Sequence, residues 1–170
     1  PSYSLNGGEI KRERDILYTD IAVRNALGIR QRGGKMKQPW ADTIDKDPKE
    51  KLTLYYEFES DISYSGAELA IECLEYTDDI IFNGEKADKT PTGYYVDEDS
   101  LPKIALPDIK KGKNILEVNY RFGDITQLES CFILGNFGVE LNGATAKITA
   151  MPEKLGYRDI VNQKMPFYGG

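Results

Sequence analysis

Period-two alternation recurs along this chain and restricts its fold more than any other feature. Leu52, Leu54, Tyr56 and Phe58 alternate with Thr53, Tyr55, Glu57 and Glu59. Glu68 to Leu74 and Ile115 to Phe122 repeat the pattern. Successive side chains of a strand point to opposite faces, so each segment reads as a strand with one buried face. Between them, Asp79-Ile80-Ile81-Phe82 runs into Asn83-Gly84, and Phe137 to Leu141 runs into Asn142-Gly143. Asn-Gly is the strongest short hairpin signal, because both central positions of a type I′ turn need positive φ. The stretch from Ala67 to Asp97, ending in Tyr94-Tyr95-Val96-Asp97, therefore reads as an antiparallel meander around which the other strands assemble. Many short strands separated by turn signals predict a mostly β protein, an antiparallel β-sandwich or jelly roll.

The flanking segments carry weaker signals. Residues 1–14 are polar and without periodicity, and read as an arm. Thr19 or Asp20 is placed to cap a short N-terminal helix with Ile21, Val23, Ala26 and Leu27 on one face and Gly28 as its stop. Arg32-Gly33-Gly34 reads as a basic turn, and 42–51 as a charged loop. Pro91 and Gly93 mark a loop. Pro102 and Pro107 confine any strand between them to a sheet edge. The organisation expected is a 1–45 arm with helix and linker, then a 46–170 sandwich truncated at its C-terminal end. A start at Pro1 and a stop after Phe167-Tyr168 both suggest a piece of a longer chain.

Composition narrows the chemistry. The 170 residues carry 22 basic and 28 acidic side chains and a net charge of −6, with no basic stripe, which argues against nucleic acid or an anionic membrane surface as partner. No apolar run approaches the length of a membrane span. There is no histidine, which removes Ser-His-Asp and Cys-His catalysis and the commonest zinc ligand. Cys73 and Cys131 sit in strand-like contexts and suit either a disulfide or two buried thiols. The acidic candidates are Glu57 with Glu59, the Asp97-Glu98-Asp99 cluster, and Glu129; each equally suits a solvated or loop-stabilising carboxylate. No cofactor is expected; a structural calcium is left open, but no calcium-loop spacing signals one.

A resemblance joins these readings. The order Asp-Ile-Ile-Phe-Asn-Gly-Glu (79–85), a loop, then Lys-Lys-Gly-Lys-Asn-Ile-Leu-Glu-Val (110–118) resembles the galactose-binding-like jelly rolls of glycoside hydrolases, including the sugar-binding domain of family two. Gln38-Pro39-Trp40, Leu128-Glu129, Leu134-Gly135-Asn136-Phe137 and Pro166-Phe167-Tyr168-Gly169-Gly170 resemble the C-terminal region of large bacterial rhamnosidase-like glycoside hydrolases. The resemblance implies a non-catalytic accessory module that braces an enzyme, secreted or periplasmic, with other domains of the same polypeptide and carbohydrate as partners. It leaves open a contribution to an active site completed by the rest of the chain, or a purely adhesive sandwich. A sugar site needs flat aromatic faces and planar hydrogen-bonding groups. Trp40, Tyr64, Tyr94 and Tyr95, with Asn83, Asp97 and Arg121 as polar partners, are the candidates, and packing in the core or against a neighbouring domain is the competing role for each aromatic residue.

Overall fold

A computed structural model describes residues 1–32, 47–96, 101–143, 145–157 and 159–167. In chain order its elements are β1 (Ser2–Leu5), β2 (Lys11–Arg12), α1 (Ile16–Leu27), β3 (Glu50–Ser60), β4 (Glu68–Ala70), β5 (Thr77–Phe82) and β6 (Glu85–Lys86), followed by β7 (Pro91–Tyr94), β8 (Pro102–Ala105), β9 (Gly112–Phe122), β10 (Phe132–Leu134), β11 (Gly138–Asn142) and β12 (Thr145–Thr149). Single-turn 3₁₀ helices occupy Leu74–Tyr76 and Val161–Gln163. Two sheets result. The larger runs β11-β12-β3-β9-β5-β6 with β1 and β2 attached through β3, and the smaller runs β10-β4-β8-β7. Pairings are antiparallel except β12 against β3. One core joins Leu52, Leu54, Ile80, Phe82, Leu116 and Val118 of the large sheet to Leu69 and Ile104 of the small one and Val23 of α1. The described residues thus form a mostly β sandwich with one short helix.

The central ladder is β3 against β9, paired without a break from Glu50↔Phe122 to Ser60↔Gly112. This register sets Leu52 beside Tyr120 and Leu54 beside Val118 on the inner face. Burying each such aliphatic side chain contributes about 1.5–3 kcal/mol. A one-residue slip would turn the whole set to solvent, so the alternation itself specifies the register.

The N-terminal segment is not a free arm. β1 pairs with β3 from Ser2↔Tyr55 to Leu5↔Leu52, and Tyr3 is buried in the core. The helix starts earlier than its sequence suggests. Asp15 is the N-cap, its Oδ1 accepting from the Tyr18 N–H at 3.0 Å, while Thr19 and Asp20 lie buried within the first turns. Gly28 ends the helix at φ 67°, with the Ile29 N–H donating to Arg24 O and its own N–H to Asn25 O. The buried face runs through Ile16, Thr19, Asp20, Val23 and Arg24, leaving Ile21 exposed. Two of those positions are charged, which hides the face from an apolar periodicity.

The expected meander is split between the sheets. β4 ends at Ala70, and Cys73 at φ 57° with the 3₁₀ turn carries the chain across, so β4 and β5 are not neighbours. The Asn83-Gly84 turn has φ of 51° and 81°, as a type I′ hairpin requires. The second hairpin also forms, but Asn142 pairs with Thr145 as the last ladder residue, and Gly143 at φ 60° opens the turn. Residues 91–94 form an edge strand rather than a loop, with a register shift between Pro91 and Gly93. β8 lies inside the small sheet rather than at its edge. Its prolines are tolerated because Pro102 is the first strand residue and Pro107 follows the last.

Candidate functional site

Among the described residues, the sequence-derived carbohydrate candidates do not assemble into one site. Trp40 and Asp97 lie outside the described residues. Tyr64 belongs to the framework: its hydroxyl accepts from the Asn136 N–H at 2.9 Å, its ring meets Phe137 edge-on at 5.4 Å, and its backbone bridges Ile109. Asn83 is spent on its own turn, with Nδ2 donating to Asn114 Oδ1 at 2.8 Å and Oδ1 accepting from the Ile115 N–H at 3.0 Å. Arg121 lies six residues beyond Ile115 on the same strand, about 20 Å away at strand rise. It pairs with Asp78 at 3.0 Å and donates to Glu75 O at 2.8 Å. Of the described candidates, only Tyr94 and Tyr95 remain together and exposed, at the end of the small sheet's edge strand.

Tyr95 leads to a cluster that the sequence did not reveal. Its ring stacks on Phe132 with centroids 5.6 Å apart and planes inclined by 17°, and the two residues stay 45% and 42% exposed. Phe132 is the cross-strand partner of Ala70, and Ala70 of Lys103. Leu69, Ile104 and Ile133 alternate with them and face the core. Phe132, Ala70 and Lys103 therefore share the outer face of the small sheet. Ala70 is fully buried on that face without joining the core cluster, as a methyl group beneath aromatic rings would be.

Two residues along β4 on the same face, Glu68 accepts from Lys103 Nζ at 2.8 Å and from Thr92 Oγ1 at 2.6 Å. The bonds from Lys103 and Thr92 hold its carboxyl below the usual carboxylate range. Neighbouring strands lie about 4.8 Å apart, and alternate residues about 6.6 Å, so rings and ion pair occupy one small patch. Cross-strand adjacency of this kind is invisible until register is known, and Phe132 and Lys103 are 29 residues apart in sequence.

Elsewhere, charge is used for architecture. Arg24, 2% exposed, donates Nε to Asp20 Oδ2 at 2.8 Å, Nη1 to Arg30 O at 3.0 Å and Nη2 to Thr126 O at 2.5 Å. Its guanidinium also lies 5.3 Å from the centre of the Phe122 ring. Asp20 further accepts from Arg32 Nε at 3.1 Å and from the Leu128 N–H at 3.4 Å, and Arg32 continues to Glu129 at 2.5 Å and Leu128 O at 2.8 Å. Two arginines and two carboxylates thus clamp α1 onto residues 126–129. Glu129, a sequence candidate for acid chemistry, is one jaw of that clamp. Glu57 pairs with Lys113 at 2.8 Å in solvent.

Cys73 and Cys131 are free thiols. Burial pushes the Cys131 thiol up to about 11, and burial likewise raises that of Cys73, so neither is an activated nucleophile. Among the described residues no group of three or more Cys, Asp or Glu is arranged to hold a metal ion, and no helix is long and apolar enough to cross a membrane. Comparison with family models, curated proteins and solved structures finds no match to this chain.

Proposed function

We propose that this chain is a non-catalytic accessory β-sandwich module of a multidomain glycoside hydrolase, of the galactose-binding-like jelly-roll type, which braces the enzyme and contacts carbohydrate. The carrying observation is that the two turn motifs of the resemblance, 31 residues apart, meet in space. Asn83 of the Asn-Gly turn bonds to Asn114 of the Gly-Lys-Asn turn and to the next backbone N–H. Asn114 is itself fully buried, donating to Lys110 O and Gly112 O and accepting from the Lys110 N–H. Two turns that support each other in this way serve the framework, in keeping with a module whose role is structural.

The second group of resembling residues supports the same reading. Leu128 is buried and Glu129 completes the helix clamp. Gly135 is the only residue that fits its position, because an added Cβ would stand 2.6 Å from Phe137 and 2.8 Å from Tyr64. Exposed apolar side chains on the outer side of α1 (Leu17, Tyr18 and Ile21), together with Tyr157 and Phe167, suit contact with other domains of the same polypeptide. The test is turnover: the purified chain is expected to hydrolyse no aryl glycoside. Hydrolysis that disappears on Glu129→Gln or Asp97→Asn in a folded variant would overturn the accessory reading.

A further inference from the structure

We propose that the outer face of the four-stranded sheet is a binding site for neutral oligosaccharides, with the stacked Tyr95 and Phe132 as platform and Glu68, Lys103 and Thr92 as its polar edge. This deepens the accessory reading, on which it rests, by assigning a place and a ligand class.

The chemistry of the patch selects the ligand. Sugar rings present an apolar C–H face and a periphery of hydroxyl groups, so they need a hydrophobic surface beside fixed donors and acceptors. Tyr95 and Phe132 supply the surface. Their mutual stacking consumes one face of each ring, yet both remain almost half exposed. The pair is also preorganised, because Phe132 is held in the ladder opposite Ala70 and the Tyr95 N–H donates to Leu101 O at 2.9 Å. Rigid side chains lose less entropy on binding than free ones.

The polar edge has capacity left over. A carboxylate offers about four lone-pair sites, and Glu68 uses two; an ammonium has three donors, and the Lys103 contact to Glu68 uses one. Acceptor and donor side by side match the two roles of vicinal hydroxyl groups. Charge then decides between neutral and acidic glycans. Among the described residues, the cation of the patch, Lys103, is already neutralised by Glu68, and the chain carries a net charge of −6. A uronate would find no free positive partner and would meet an unfavourable field. The ligand is therefore a neutral glycan, held by stacking and hydroxyl contacts.

NMR shift mapping of the whole chain with short rhamnose and galactose oligosaccharides, and with galacturonate oligomers as acidic comparators, tests the assignment. Expected are millimolar binding of a neutral oligomer, shifts centred on Tyr95, Phe132 and Lys103, and weaker binding of the acidic series. Tyr95→Leu keeps bulk without an aromatic face and is expected to weaken binding by about tenfold, with unchanged thermal midpoint. Phe132→Leu provides the same check should Tyr95→Leu fail to fold. Shifts centred elsewhere, galacturonate binding as tight as neutral binding, no shift with any oligomer at ten millimolar, or full affinity in the leucine variants would each overturn the site. None of these results bears on turnover, which tests the accessory reading separately.

Discussion

Breaking the Asp20–Arg24 pair probes how the helix is attached, and the structure orders the two single substitutions. Arg24→Met removes the charge but keeps most of the volume against Phe122. Asp20 then retains Arg32 at 3.1 Å and the Leu128 N–H at 3.4 Å, so no carboxylate is stranded. What is lost is the donor to Arg30 O and Thr126 O and one charge-assisted bond. Two neutral acceptors and one ionic bond come to about 3 kcal/mol. Asp20→Ala is worse. It leaves the Arg24 guanidinium, 2% exposed, without any anion, and also loosens Arg32. Truncating one partner of a buried pair costs about 3–5 kcal/mol, and this site belongs at the upper end because the stranded group is a charge. At roughly 2–4 °C per kcal/mol for a domain of this size, Arg24→Met should lower Tm by about 6–12 °C, and Asp20→Ala by more. Urea and thermal unfolding followed by circular dichroism measure both. An Arg24→Met variant within 0.5 kcal/mol of the parent, or one less stable than Asp20→Ala, would refute the argument that residual partners decide the cost.

Two further outcomes follow from single positions. Asn83→Val should destabilise by about 2–3 kcal/mol, since a β-branched residue resists φ of 51° and both side-chain bonds to β9 are lost; an unchanged thermal midpoint would refute it. Burial raises the Cys131 thiol from its ordinary value near 9 to about 11, so the folded state holds that proton longer than the unfolded one. Its contribution is complete below pH 9 and is lost as pH rises through 11, and Cys131→Ala should flatten the stability–pH curve between those values in alkaline urea titrations.

The strands β3, β5, β9 and β11 and the Asn83-Gly84 turn were legible in the sequence because local rules govern them. A buried face forces alternation, and positive φ selects Asn-Gly. Gly28 as helix stop was legible for the same reason. The helix face was not, because its inward positions include Asp20 and Arg24, which are buried only by virtue of each other and of residues 126–129 more than a hundred positions away. Nor was the role of β1, whose Tyr3 becomes core only once β3 lies beside it.

The candidate site divides in the same way. Tyr94 and Tyr95 could be picked out as loop aromatics, but Phe132, Glu68 and Lys103 could not, since nothing local distinguishes them from ordinary strand residues. Conversely, Tyr64, Asn83 and Arg121 carry the right chemistry for a sugar, and tertiary partners consume it. Sequence alone determined that this chain makes a histidine-free β sandwich with at least one I′ hairpin. Which strands became neighbours, and so which side chains met across β10, β4 and β8, was decided by long-range pairing. Pairing register depends on how both sheets bury their inner faces together, and no single segment carries that information.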